Sequence, residues 1–187
     1  MRSDRGECSA ARHSVLIANY AFDRAHESDA LLHAQALWRP LAAAMDAMNK
    51  GDMDAASGSY NRVLEHYPEF MPACRRLVIL LSTKKGDTKR AFDLALKART
   101  AFPGDSELAK AYGIILYRQG DFSRALGMLR ESASNLQEDA DLMYYLGMTQ
   151  FRLNDGTGAK QSLQRALELN ARSELAAEAR RMLVELK

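Results

Sequence analysis

Along this chain apolar residues recur at intervals of three and four, the spacing that lines one face of a helix. Between Leu108 and Leu116 they are Leu108, Tyr112, Ile115 and Leu116. After the interruption Gln119-Gly120-Asp121 the rhythm resumes with Phe122, Ala125, Leu126, Leu129 and Ala133. Gly120 can take the left-handed conformation that ends a helix, and Asp121 carries a side chain suited to cap the next one. This stretch predicts two helices joined by a tight turn. Asn135 to Glu138 closes it, and Asp139 stands where a further helix needs its N-cap, 34 residues after Asp105.

The pattern then recurs. Gly113, Asp121, Ala125 and Leu129 return as Gly147, Asp155, Ala159 and Leu163, each pair 34 residues apart. One step earlier stand Gly86, Asp87, Ala91 and Ala95, and a further step of 35 residues reaches Gly51, Asp52, Ala56 and Tyr60. Such a period marks a repeat architecture, in which each unit buries its apolar face against the next. The expected fold is an all-α solenoid of four helix-turn-helix units at 37–71, 72–105, 106–139 and 140–173. Gly113, Gly147, Ala91, Ala125 and Ala159 are expected where the two helices of a unit approach closely.

Residues 1–13 read as a polar tail and 14–36 as N-terminal helices outside the repeat register. Pro40 either lies in the first turn of unit one or kinks one longer helix. Residues 174–187 form a C-terminal capping helix, starting at Ser173. Leu175, Ala176, Ala179, Met182, Leu183 and Leu186 are expected inward, with Glu174, Glu178, Arg180, Arg181 and Glu185 outward.

The units resemble tetratricopeptide repeats. Unit four supplies Met143, Leu146, Gly147, Ala159, Leu163 and Ala166, and unit three Tyr112, Gly113, Leu116, Phe122, Ala125 and Leu129. Unit three departs at Ser132, where Ala is usual. Unit two keeps Ala91, Ala95, Ala98 and Pro103 but has Val78-Ile79 in place of Leu-Gly. Unit one keeps Gly51-Asp52, Ala56, Tyr60 and Pro68 and has Ala43-Ala44 there. The resemblance implies a concave face lined by the first helix of each unit. Carried onto this sequence, that face comprises Trp38, Leu41, Met45, Met48, Arg76, Leu80, Thr83 and Lys84 from units one and two. Units three and four add Glu107, Lys110, Ile114, Tyr117, Arg118, Asp141, Tyr144, Tyr145, Met148, Phe151 and Arg152.

A subset of these repeats clamps acidic C-terminal tails with paired Lys, Asn and Arg. The corresponding positions here hold Leu41, Met45, Leu77, Glu107 and Ala111, so that clamp is absent. What remains is an aromatic and methionine floor, with Tyr117, Tyr144, Met148 and Phe151 expected to be exposed. Its border carries five cations against two acids. Tyr112 and Leu146 are assigned to the core. The resemblance implies a non-enzymatic scaffold or adaptor that binds a protein or peptide, an amphipathic segment with acidic flanks. The alternatives are a self-assembling module, its groove filled by the N-terminal helices or a neighbouring copy in a homo-oligomer, and the regulatory repeat part of a longer bacterial envelope protein.

Composition changes this picture little. Hydrophobic residues make up 47% and charged ones 27%, ordinary for a globular chain. A net charge of +2 is too mild to argue nucleic acid. No apolar run reaches 18 residues, so no membrane insertion is expected. Cys8 and Cys74 are too few for a disulfide framework, and Cys74 reads as a small core residue. As written, the chain is expected in the cytoplasm, or in the periplasm or cell envelope if it is a fragment.

Catalytic constellations are hard to find. His26 and His33 are seven residues apart but make a poor metal site. His66 and Cys74 flank the first joint, yet a nucleophile and base also need an orienting group and an oxyanion site. Gly156-Thr157-Gly158 reads as the turn of unit four, not a phosphate loop. No enzyme activity, cofactor or metal is expected.

Overall fold

The computed structural model describes residues 30–84, 86 and 88–186, with side chains from Leu37 onward. The described residues form nine helices and no strand. In order these are α1 (Ala30–Asn49), α2 (Met53–His66), α3 (Met71–Thr83), α4 (Thr88–Ala101) and α5 (Ser106–Gln119). They continue as α6 (Phe122–Ala133), α7 (Ala140–Arg152), α8 (Gly156–Glu168) and α9 (Ser173–Glu185). The chain divides into two compact units, Met1–Arg76 and Leu77–Lys187, the division falling inside α3. The expected N-terminal helix around Val15 to Phe22 lies outside the described residues, as do His26 and Cys8.

In the first unit α1 pairs with α2. Helix α1 runs unbroken through Pro40, so the longer of the two expected helices is the one present. Leu41, Ala44 and Ala47 of α1 and Ala56, Tyr60 and Val63 of α2 are buried, as are Phe70, Ala73 and Cys74.

In the second unit each helix from α4 to α9 packs on the next, and the alternate helices α5, α7 and α9 also touch one another. The first helices of the repeats therefore stand side by side. Their pairing with the second helices depends on absent side chains. A Cβ on Gly113 would lie 2.7 Å from Leu129 Cγ, and one on Gly147 would lie 2.8 Å from Leu163 Cγ. Both leucines are fully buried, so neither can give way. The same contact thus recurs after one 34-residue period. Ala56, Ala91, Ala125 and Ala159 are likewise buried.

Helix starts follow the repeated aspartates. Asp52, Asp105, Asp121, Asp139 and Asp155 accept from the backbone N–H of Ala55, Leu108, Arg124, Leu142 and Gly158, satisfying donors that a helix N-terminus leaves open. Gly51 and Gly120 take the left-handed conformation before two of these caps, with φ of 75° and 82°. Asn154, one period after Gly120, takes it at φ 62°. The reading of Gly156-Thr157-Gly158 as a turn is therefore corrected. With Asn154 turning the chain and Asp155 capping, α8 begins at once, and these residues form its first turn.

Side chains also tie alternate elements. Arg99 of α4 donates through Nη2 to both carboxylate oxygens of Glu131 on α6, at 2.9 and 3.0 Å. Ser132, the departure from the usual Ala, is fully buried and donates to the Ser106 carbonyl at 2.8 Å. That bond satisfies a hydroxyl that would otherwise be costly to bury.

Candidate partner-binding face

The face formed by α5, α7 and α9 is built around tyrosines. Tyr117 of α5 meets Tyr145 of α7 edge-on, ring centroids 5.6 Å apart. Tyr145 meets Tyr144 at 5.1 Å, and Tyr117 meets Phe122 at 5.6 Å. Edge-to-face pairs at these distances are favourable beyond the area they bury. The Tyr144 hydroxyl donates to Glu178 Oε2 of α9 at 2.7 Å. Burial first, and the bond to Glu178 second, raise the Tyr144 hydroxyl above the ordinary phenol range. Burial, then the charge of Glu178, also raises Tyr117.

This arrangement corrects the expected floor. Tyr144 and Met148 are buried, at 3% and 5% exposure, where the sequence predicted open positions. Tyr145, Ile114 and Leu80 are buried as well. The reason is the side-by-side first helices: each ring at these positions is taken up by the neighbouring helix, Tyr145 by α5 and Tyr144 by α9. Tyr117 and Phe151 remain partly open, and Arg152 is exposed. Tyr112 and Leu146 are core, as expected.

The basic border is also partly committed. Lys110 pairs with Asp139 at 2.5 Å. Arg118 donates to the Lys84 carbonyl at 2.6 Å and to the Tyr145 hydroxyl at 3.3 Å. Arg152 lies over the Phe122 ring, 4.4 Å from its centroid, while staying open to solvent. Lys84 is half-buried.

In the first unit the predicted residues separate. Leu41 is buried, whereas Trp38 and Met45, two turns apart on α1, are exposed at 38% and 43%. Arg76 is half-buried and acts on Tyr60, whose hydroxyl burial raises and Arg76 lowers. His66 is exposed, its Nδ1 2.9 Å from the Arg62 carbonyl oxygen, while Cys74 is buried.

Glu178 also departs from the sequence expectation. It was expected outward in solvent and is instead half-buried against Tyr144. The signal was available, since Glu178 stands 34 residues after Tyr144 and so occupies the same register position on the next first helix.

The tetratricopeptide repeat profile matches residues 41–106 and 111–174. The chain belongs to the tetratricopeptide repeat family. Tetratricopeptide arrays are typically non-catalytic protein-interaction scaffolds, and they bind protein partners. Among solved structures, the tetratricopeptide fold of this chain is similar to that of a MamA protein, with 17% identity and a TM-score of 0.60 over 81% of this chain and 86% of that one. It is also similar to a tetratricopeptide repeat protein from Parabacteroides merdae, with 17% identity and a TM-score of 0.59 over 81% of this chain and 60% of that one. An O-GlcNAc transferase from Thermobaculum terrenum matches with 22% identity and a TM-score of 0.58, over 72% of this chain and 26% of that one. No curated protein matches in sequence. None of the described helices is long and apolar enough to cross a membrane.

Proposed function

We propose that the chain is a non-enzymatic adaptor that holds an extended or helical segment of another protein on the face of α5, α7 and α9. Phe151 and Tyr117 supply its apolar contacts, and Arg152 meets an acidic flank. The observation that carries this reading is the contrast along α7: Tyr144 and Met148 are sealed into the array, while Phe151 and Arg152, about one turn beyond Met148, are part-open and exposed. Aromatic anchors and arginines tend to dominate protein contacts. In the first unit Trp38 and Met45 form a separate exposed apolar pair on α1.

Photo-cross-linking tests it. A benzophenone side chain placed at position 151 should capture partner proteins that the same group at exposed Leu96, on α4, does not. Equal capture from both positions would remove the first-helix face as the binding surface.

A further inference from the structure

Glu178 is an unusual group on this face. Its carboxylate is half-buried on α9 and accepts a hydrogen bond from the Tyr144 hydroxyl. Among the described residues no cation pairs with it. On the same face Lys110 pairs with Asp139 and Arg118 donates to the Lys84 carbonyl and the Tyr145 hydroxyl, while Arg152 lies over Phe122 and stays open to solvent. A half-buried carboxylate with one hydrogen bond keeps unsatisfied acceptor capacity, since an ionised carboxylate can take several donors. That bond joins it to Tyr144, from which edge-to-face rings run through Tyr145 to the part-open Tyr117. Carboxylates and aromatic rings both favour a cation over a neutral or anionic group.

We infer that Glu178, with Tyr117 and Tyr144, is the receptor for a basic side chain, Arg or Lys, presented by the bound protein segment. This rests on the adaptor reading and gives it a direction. The segment carries a cation at α9 and its acidic flank at Arg152 on α7. Arg fits better than Lys, because its planar guanidinium can stack on Tyr117 while donating to the carboxylate. The partner on this face is therefore not simply acidic, as the cation count of the sequence suggested.

The test uses the full chain and a random peptide display library, panned in parallel on wild type, on Glu178→Gln and on Phe151→Ala. Glu178→Gln keeps an oxygen for the Tyr144 hydroxyl and so keeps the packing, which an unchanged thermal melt verifies. Peptides enriched on wild type should share apolar residues and one Arg or Lys at a fixed offset from them. On Glu178→Gln the apolar residues should persist and the basic preference vanish. For a synthesised binder, replacing that Arg by norleucine should weaken binding roughly tenfold on wild type and less than about twofold on Glu178→Gln. Apolar enrichment without a basic position, or a basic preference that survives in Glu178→Gln, overturns the inference and leaves the adaptor standing. Peptides that bind Phe151→Ala as well as wild type, or no enrichment at all, overturn the adaptor reading and this inference with it.

Discussion

At Gly113 an added methyl group would have to sit 2.7 Å from the Cγ of a fully buried leucine. Gly113→Ala and Gly147→Ala should each destabilise the chain by about 1–3 kcal/mol, the usual cost of overpacking a filled core. Ala125→Leu should do the same at a site with no exposed surface. Urea unfolding measures all three, and a variant as stable as the parent would put the helix pairing in doubt. Asn154 points the other way. It holds a left-handed backbone at φ 62° in the position that glycine fills at Gly120, so Asn154→Gly should be neutral to slightly stabilising. A clear loss of stability in that variant would show that the Asn154 side chain has a further role. Tyr144 supplies a pH dependence. Its proton is held more tightly in the folded chain than the ordinary value of 10.0, as is that of Tyr117. The neutral tyrosines therefore contribute stability that is complete below pH 10 and is lost as pH rises beyond it. Unfolding between about pH 9 and 11 should show this loss, and Tyr144→Phe should lessen it. An equally steep loss in Tyr144→Phe would assign the effect to other groups.

At the scale of the element, much of the fold was legible because each helix start is local chemistry repeated at a fixed interval. The aspartate caps, the left-handed residue before them and the small residues facing leucine are read directly from Asp121, Gly120 and Gly113 and their counterparts one period away. The candidate face was harder to read, for a physical reason. Register says which side of a first helix a residue occupies, but not what the next unit places over that side. Tyr144 stands at a groove position, yet its hydroxyl is bonded by Glu178 of α9, so the ring is sealed between helices. The border cations misled in the same way. Lys110 and Arg118 were counted as free charge, while Asp139 and the Lys84 carbonyl already engage them. Helix α9 thus continues the repeat register, and we propose that it also caps the array. Deleting Ser173–Lys187 should uncover Tyr144 and the faces of α7 and α8 that α9 packs on, giving aggregation or a broader melt. A truncated chain that stays monodisperse and melts as sharply as the parent would contradict that role.

On the scale of the whole molecule, the two compact units present different surfaces. The unit ending at Arg76 shows Trp38 and Met45, and the unit from Leu77 shows Phe151 and Arg152 around a tyrosine cluster. Repeat arrays keep their stability in contacts between neighbours, and here those contacts take up most first-helix side chains and leave Tyr117, Phe151 and Arg152 open. Large aromatic side chains at the rim are then the expected source of affinity, and the exposed cation governs association more than residence. The most direct measurement is calorimetric titration of a captured segment into wild type, Phe151→Ala and Leu96→Ala. A segment held on the first-helix face should bind Phe151→Ala about thirtyfold more weakly, roughly 2 kcal/mol, and Leu96→Ala as tightly as wild type. Equal affinity for wild type and a well-folded Phe151→Ala, or a loss confined to Leu96→Ala, would contradict the assignment of this face as the binding surface.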